Sequence, residues 1–353
     1  SDDLAGDPGT DAPVPDAAAD APDANDVPGE LGPEIDPILA ETLAAILAEH
    51  ATFSADRGLT LTVRDAGGAW WTGAAGEAVV QDATAMTPDT QFRVGSNTKP
   101  FVAVVIMQLV DEGLVDLDDP ITDYVPDYPH WSDITIRHLL SMRSGIPEYL
   151  RDAELMLTVV GDPTLAMTPL EVLDYIADDD LLYLPGQGGH YTNSNYTLLG
   201  LVIEDVLDQP ADQVIHDRLI APLGLDDTFL DLTGETFPDL AHGYMDLSLV
   251  GILFGVPASV IDFIPTESVV EGTIIDTTYL FHPSITWTAG AMVSTTRDMG
   301  VFIHALMTGD LVSPASLDAM KEAQVITLMN NPVPYGLGLQ VRPHAHGTLY
   351  GHG

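Results

Sequence analysis

The chain has 353 residues, with 54 Asp and Glu against 11 Lys and Arg, a formal charge of −43 and no cysteine. That charge argues against nucleic acid or an anionic membrane surface as partner, and the missing thiols remove cysteine nucleophiles, thiolate metal sites and disulfides. A hydrophobic fraction of 46% supplies ample core, and no run of about 18 uninterrupted apolar residues marks a membrane span.

Residues 1–33 are mostly Asp, Ala, Pro and Gly and cannot bury enough apolar surface to order themselves. They read as a disordered, solvated stalk. Such a tether is typical of an exported protein (periplasmic, secreted or a cell-surface lipoprotein), and the same composition also serves as an intracellular linker. The folded domain is expected over 34–353. Ile38, Leu39, Leu43, Ile46 and Leu47 recur at helical spacing and predict a helix over Pro37–His50 with one buried face. Leu59 to Val63 alternates, Ala66-Gly67-Gly68 turns, and Ala69 to Gly73 continues as a hairpin partner. Beyond Val94 helical signals dominate, at Val102 to Val110, Ile136 to Leu140, Leu170 to Ile176 and Tyr196 to Leu207. Strand signals return at Ala289 to Val293 and at Tyr335 to Val341. Strands at both ends with helices between them imply an α+β fold, its antiparallel sheet built from N- and C-terminal segments flanked by helices, with a mainly helical lobe at about 115–285.

The chemistry concentrates at Ser96-Asn97-Thr98-Lys99. Lys99 is one of two lysines in the chain, and residues three apart on a helix share a face. Pro100 is tolerated in a first helical turn, and the apolar run behind it ends at Glu112-Gly113. A neutral lysine amine can take the proton of a serine hydroxyl, and unpaired N–H groups at a helix start favour both the neutral amine and a developing oxyanion. Other clusters carry less. His344 and His346 would share a strand face with His352 near, but nothing completes a zinc set. Asp178-Asp179-Asp180 lacks the spacing of a calcium loop and reads as a solvated connection. The apolar stretch from Leu247 to Ile264, with Phe254 and Phe263, reads as a lid, a pocket wall or extra core.

Phe92-Arg93-Val94-Gly95-Ser96-Asn97-Thr98-Lys99, followed by Leu117-Asp118-Asp119-Pro120, resembles the first active-site block of the serine β-lactamase-like family. That family holds class C β-lactamases, DD-carboxypeptidases, D-aminopeptidases and related esterases. Further blocks are similar and in order: Ile134 to Leu140 with Ser144-Gly145-Ile146-Pro147, Tyr191-Thr192-Asn193, Ala221-Pro222-Leu223-Gly224 and Ser294 to Met299. The resemblance runs from about Ile35 to Gly353. It implies a serine hydrolase that forms an acyl-enzyme on Ser96 and needs no cofactor or metal, with small peptides containing D-amino acids or small esters as substrates. Lys99 and Tyr191 are the two candidate bases, the phenol's pKa being expected to fall beside an ammonium. Asn193 would bind a substrate amide. His352 and Gly353 would stand in the His-x-Gly block, the ring holding an anionic or polar substrate group and changing charge between about pH 5 and 8. In the family a second oxyanion donor and more sheet follow that glycine, so the C-terminal part of the fold is expected from elsewhere: a longer chain, a second polypeptide, or a fragment released by self-cleavage after Gly353. The different-class alternative is a hydrolase-like scaffold that binds peptidoglycan fragments or a partner without turnover; an esterase with an apolar pocket is the other.

Overall fold

The computed structural model describes residues 35–51, 57–235, 237–247 and 268–353. The expected stalk at 1–33 and nearly all of the apolar stretch between Leu247 and Ile264 lie outside the described residues. The first helix, α1 (Pro37–His50), starts where the Asp36 carboxylate accepts the Ile38 and Leu39 N–H groups and Pro37 presets the first turn. Its buried stripe is narrower than the periodicity implies. Leu47 is buried, whereas Ile38, Leu39 and Ile46 are exposed, because the helix packs chiefly on one hairpin.

That hairpin pairs β1 (Gly58–Arg64) with β2 (Trp70–Val79) in antiparallel register, Thr62 opposite Thr72, and β3 (Thr84–Ala85) adds a short third strand. After β4 (Phe92–Arg93) the chain enters α2 (Thr98–Asp111), whose residues from Thr98 to Met107 are all buried. A helix apolar on every side must run through the middle of a domain. The helices α3 (Ile136–Leu140), α4 (Ala153–Gly161), α5 (Pro169–Leu173), α6 (Ser194–Leu207), α7 (Ala211–Ile215) and α8 (Ala221–Leu223) follow. The expected helical lobe is helical to this point. Beyond it the described residues form short strands: β5 (Phe229–Leu230), β6 (Tyr244–Asp246), and β7 (Val269–Glu271) and β8 (Ile274–Asp276), the last two each opening on a β-branched pair.

The segment at Ala289 to Val293 divides. Trp287–Gly290 is a helical turn, α9, and only β9 (Met292–Ser294) is strand, paired with both β4 and β5. α10 (Thr296–Thr308) lies against β1, where Thr62 Oγ1 meets Thr296 Oγ1 at 2.9 Å, and α11 (Pro314–Lys321) leads into the last sheet. That sheet runs β10 (Gln324–Leu328), β11 (Asn331–Tyr335), β12 (Gln340–His344) and β13 (Gly347–Gly351) in sequence order. The run from Tyr335 to Val341, expected as one strand, is therefore a turn between two. Gly338 sits there at φ +84°, and a side chain on it would meet the Ala103 methyl of α2 at 2.3 Å. Antiparallel sheets flanked by helices fit the expected class. Among the described residues, the first and last strands fall in separate sheets, and β4 with β9 joins early to late chain. No described helix is long and apolar enough to cross a membrane.

Candidate active site

Gly95, at φ +53°, turns the chain from β4 into the 3-10 turn Gly95–Asn97 that opens α2. Thr98 Oγ1 donates to the Gly95 carbonyl (2.7 Å) and accepts the Met292 N–H (3.1 Å), which pins the helix start to β9. Ser96 and Lys99 thereby lie one turn apart, with Lys99 Nζ 3.0 Å from Ser96 Oγ. Nζ also donates to Asn193 Oδ1 (2.7 Å) at the start of α6 and to the Ala289 carbonyl (2.7 Å) of α9. Those two oxygens can only accept. They occupy two amine hydrogens and leave the third direction for Ser96, which receives a hydrogen bond from an ammonium or gives one to an amine. Burial pushes the Lys99 pKa down from 10.5 to about 7, with Glu148 pulling the other way. A large neutral fraction at ordinary pH follows.

Tyr191 departs from the expectation. Its pKa is raised well above the ordinary phenol value, because burial outweighs the neighbouring Ser96 hydroxyl and the negative charge of Glu148 adds to the rise. Lys99 Nζ sits 4.9 Å over the face of its ring and 5.6 Å over that of Tyr196, so the cation meets two π faces. The Tyr191 hydroxyl is buried and holds no hydrogen bond of good geometry. As a neutral phenol it can relay a proton, not act as a standing base.

His352 departs likewise. Burial, then the charges of Lys99 and Arg342, hold its pKa well below 6.5, so the ring is neutral at pH 7 and is no switch across pH 5 to 8. Its Nε2 lies 3.1 Å from the Tyr335 hydroxyl, while Nδ1 is buried without a partner. Its ring lies 5.9 Å from that of Tyr191. Gly353 is exposed; its carbonyl accepts from Gln340 Nε2 (3.3 Å). His344 and His346 flank the β12–β13 turn with ring centroids 5.3 Å apart, on the exposed hairpin. No group of metal-binding side chains forms among the described residues.

Glu148 was not singled out by the sequence, where it is one acid among 54. It directly follows the block ending at Pro147, which was the available signal. Its Oε2 accepts both the Asn193 N–H (2.6 Å) and Asn193 Nδ2 (3.1 Å), and its Oε1 accepts the Leu150 N–H (3.0 Å). Glu148 therefore holds the amide whose other end grips Lys99. Burial raises its own pKa, opposed first by the N–H groups of Asn193 and Leu150 and then by the Lys99 charge.

Ser96, Glu148, Tyr191, Asn193, Phe281 and Met329 line one cavity of about 290 Å³. A larger, open groove of about 540 Å³ lies at the far end of α2, where Glu112 pairs with Arg218 and Asp111 accepts from Ser313 and Ser316; it holds none of the groups above. A nucleophile, a neutral phenol and a carboxylate line the cavity, with the largely neutral amine of Lys99 buried behind Ser96. That set can add a hydroxyl to a carbonyl and return its proton to a leaving group.

A family model described as Beta-lactamase matches residues 43–353. Among solved structures, a D-amino acid amidase from Ochrobactrum anthropi SV3, complexed with D-phenylalanine, superimposes with a TM-score of 0.76 at 29% identity over 89% of this chain and 84% of that one. A D-stereospecific amidohydrolase from Streptomyces sp. gives 0.73 at 29% identity, covering 89% and 86%. A putative penicillin-binding protein, PbpX of Bacillus subtilis (strain 168), is 28% identical over 269 residues, 75% of this chain and 58% of that protein's length.

Proposed function

This chain belongs to the beta-lactamase family and is a serine hydrolase of that fold, and on that premise we propose that it hydrolyses amides and short peptides of D-amino acids carrying a free α-ammonium. The reading rests above all on the placement of Lys99 Nζ between two carbonyl acceptors and Ser96 Oγ. Neutral Lys99 takes the hydroxyl proton as Oγ bonds to the substrate carbonyl carbon. The carbonyl oxygen becomes an anion at the start of α2, where unpaired N–H groups and the helix dipole favour it. Collapse of this adduct breaks the C–N bond; the leaving amine takes a proton through the Tyr191 hydroxyl, which Lys99 replenishes, and Ser96 is left acylated. Water then adds to the ester by the same route, freeing the acid and restoring the serine.

Glu148 supports the free-ammonium requirement. Among the described residues it is the one carboxylate lining the cavity, and once Lys99 is neutral its charge loses that counter-charge. A substrate ammonium supplies one, and Oε1, with a single N–H on it, has a lone pair free to accept. The D configuration is taken from the two structural relatives. Steady-state hydrolysis of D-phenylalanine amide, L-phenylalanine amide and N-acetyl-D-phenylalanine amide tests the whole reading, with Ser96→Ala as blank. Turnover of the first only is expected; equal turnover of the acetylated amide would refute the ammonium requirement, and turnover surviving in Ser96→Ala would refute the nucleophile.

A further inference from the structure

The cavity mouth does not share the acidity of the rest of the molecule. Acids outnumber Lys and Arg by 54 to 11 along the chain, yet among the described residues the cavity lining holds one carboxylate, Glu148, beside Arg151 and His190. Arg151 is exposed, and among the described residues its guanidinium has neither an ion pair nor a hydrogen-bond partner. Of the acids within three residues of it, Asp152 Oδ1 accepts the Leu155 N–H, Glu148 is held by Asn193 and Leu150, and Glu154 stands in the first turn of α4 without an ion pair to Arg151. Arg151 and Glu148 are the two ends of one 3-10 turn, Tyr149–Arg151, with Glu148 as its N-cap. Three residues of such a turn rise about 6 Å, which matches the reach from the α-nitrogen to the side-chain carboxylate oxygens of extended glutamate. His190 stands close enough for the Arg151 charge to act on it, second to burial, in lowering its pKa, so it meets a ligand as a neutral ring.

We propose that Arg151, with His190 beside it, binds a carboxylate on the side chain of the acyl amino acid, so that amides of acidic D-amino acids are the favoured substrates. This deepens the amidase reading and rests on it, because Glu148 must hold the α-ammonium for the side chain to point along the turn. A guanidinium without an ion pair at the mouth also offers an anion a local attraction in a strongly acidic protein.

The test compares kcat/KM for the α-amides of D-glutamic acid and D-glutamine, side chains equal in shape and different in charge, with D-alanine amide as reference. The acid is expected to be favoured about fivefold, the range of a solvent-exposed pair. Arg151→Gln should bring that ratio to about one, and Arg151→Glu should invert it and favour D-lysine amide, a gain that misfolding cannot produce. Competition by D-glutamate and D-glutamine for binding to Ser96→Ala gives a readout without turnover. If D-alanine amide is hydrolysed but the ratio is one in the wild type, or survives in Arg151→Gln, the inference is overturned while the amidase reading stands. If no amide is hydrolysed, the amidase reading fails, and equal binding of the two free amino acids then overturns the inference as well. A preference for a carboxylate on the leaving group, with none on the acyl side chain, also overturns it.

Discussion

Replacing Glu148 by Gln keeps the shape and an acceptor for Asn193 but removes a charge that stabilises the Lys99 ammonium. Lys99 Nζ, Asn193 and Glu148 are linked by contacts of 2.7 and 3.1 Å across one amide group, which keeps the two charges within about 8 Å. At an effective dielectric of about 20, Coulomb's law gives about 2 kcal/mol at that distance, or about 1.5 pH units. The sign follows from the proton. Without the anion the ammonium is less favoured, the Lys99 pKa falls below about 7, and the reactive amine persists to lower pH. The assay is the second-order rate of Ser96 acylation by p-nitrophenyl acetate, a neutral ester that makes no demand on an ammonium site, followed from pH 4 to 9. In the wild type the rate should rise through a midpoint near 7; in Glu148→Gln the midpoint should move acidward by about 1.5 units or more. An unmoved or alkaline-shifted limb would show that Glu148 does not set the charge of Lys99.

The remaining predictions use other parts of the site. Lys99→Met should cut acylation at least about a thousandfold yet melt higher than the wild type at pH 7. Because the folded pKa of Lys99 lies near 7, below its unfolded 10.5, the unfolded chain binds the extra proton between those values. Wild-type stability therefore climbs from pH 7 to 10.5, and the melting advantage of Lys99→Met should shrink over that window in calorimetry. Tyr191→Phe should slow amide hydrolysis by about a hundredfold or more and activated esters much less, because an amine leaves only with a proton. With its phenol raised far above the ordinary value, the wild type should also keep its rate plateau past pH 10. Gly338→Ala forces a side chain against the Ala103 methyl at a positive φ and should cost about 1–3 kcal/mol in urea unfolding, with the m-value unchanged.

The parts of the molecule visible in the sequence are those set by local rules. The spacing of Ser96 and Lys99, the apolar run of α2, the β1–β2 hairpin and the helices at 136, 170 and 196 all follow from periodicity, turns and caps. What the sequence concealed depends on packing across the chain. The ionisation of Tyr191 and His352 is governed by burial beneath segments more than a hundred residues away, which no local pattern reveals. Glu148 is indistinguishable from its fellow acids until α6 folds back and offers it the Asn193 amide. The Tyr335 to Val341 run alternates like a strand, and only the closeness of α2 explains why Gly338 must turn there. Of α1, periodicity gave the helix, but only its neighbours decide how much of the stripe is covered.

One of the two oxygens that grip the Lys99 amine belongs to the main chain of Ala289. A main-chain ligand cannot be deleted by a codon change, so mutational drift at position 289 is limited by the space around the methyl group and not by the need to keep an acceptor. The amine's protonation can consequently outlast wide divergence in the walls of the cavity. A lineage can exchange what it hydrolyses by altering residues such as Arg151 or Met329 while the proton-handling core is inherited intact.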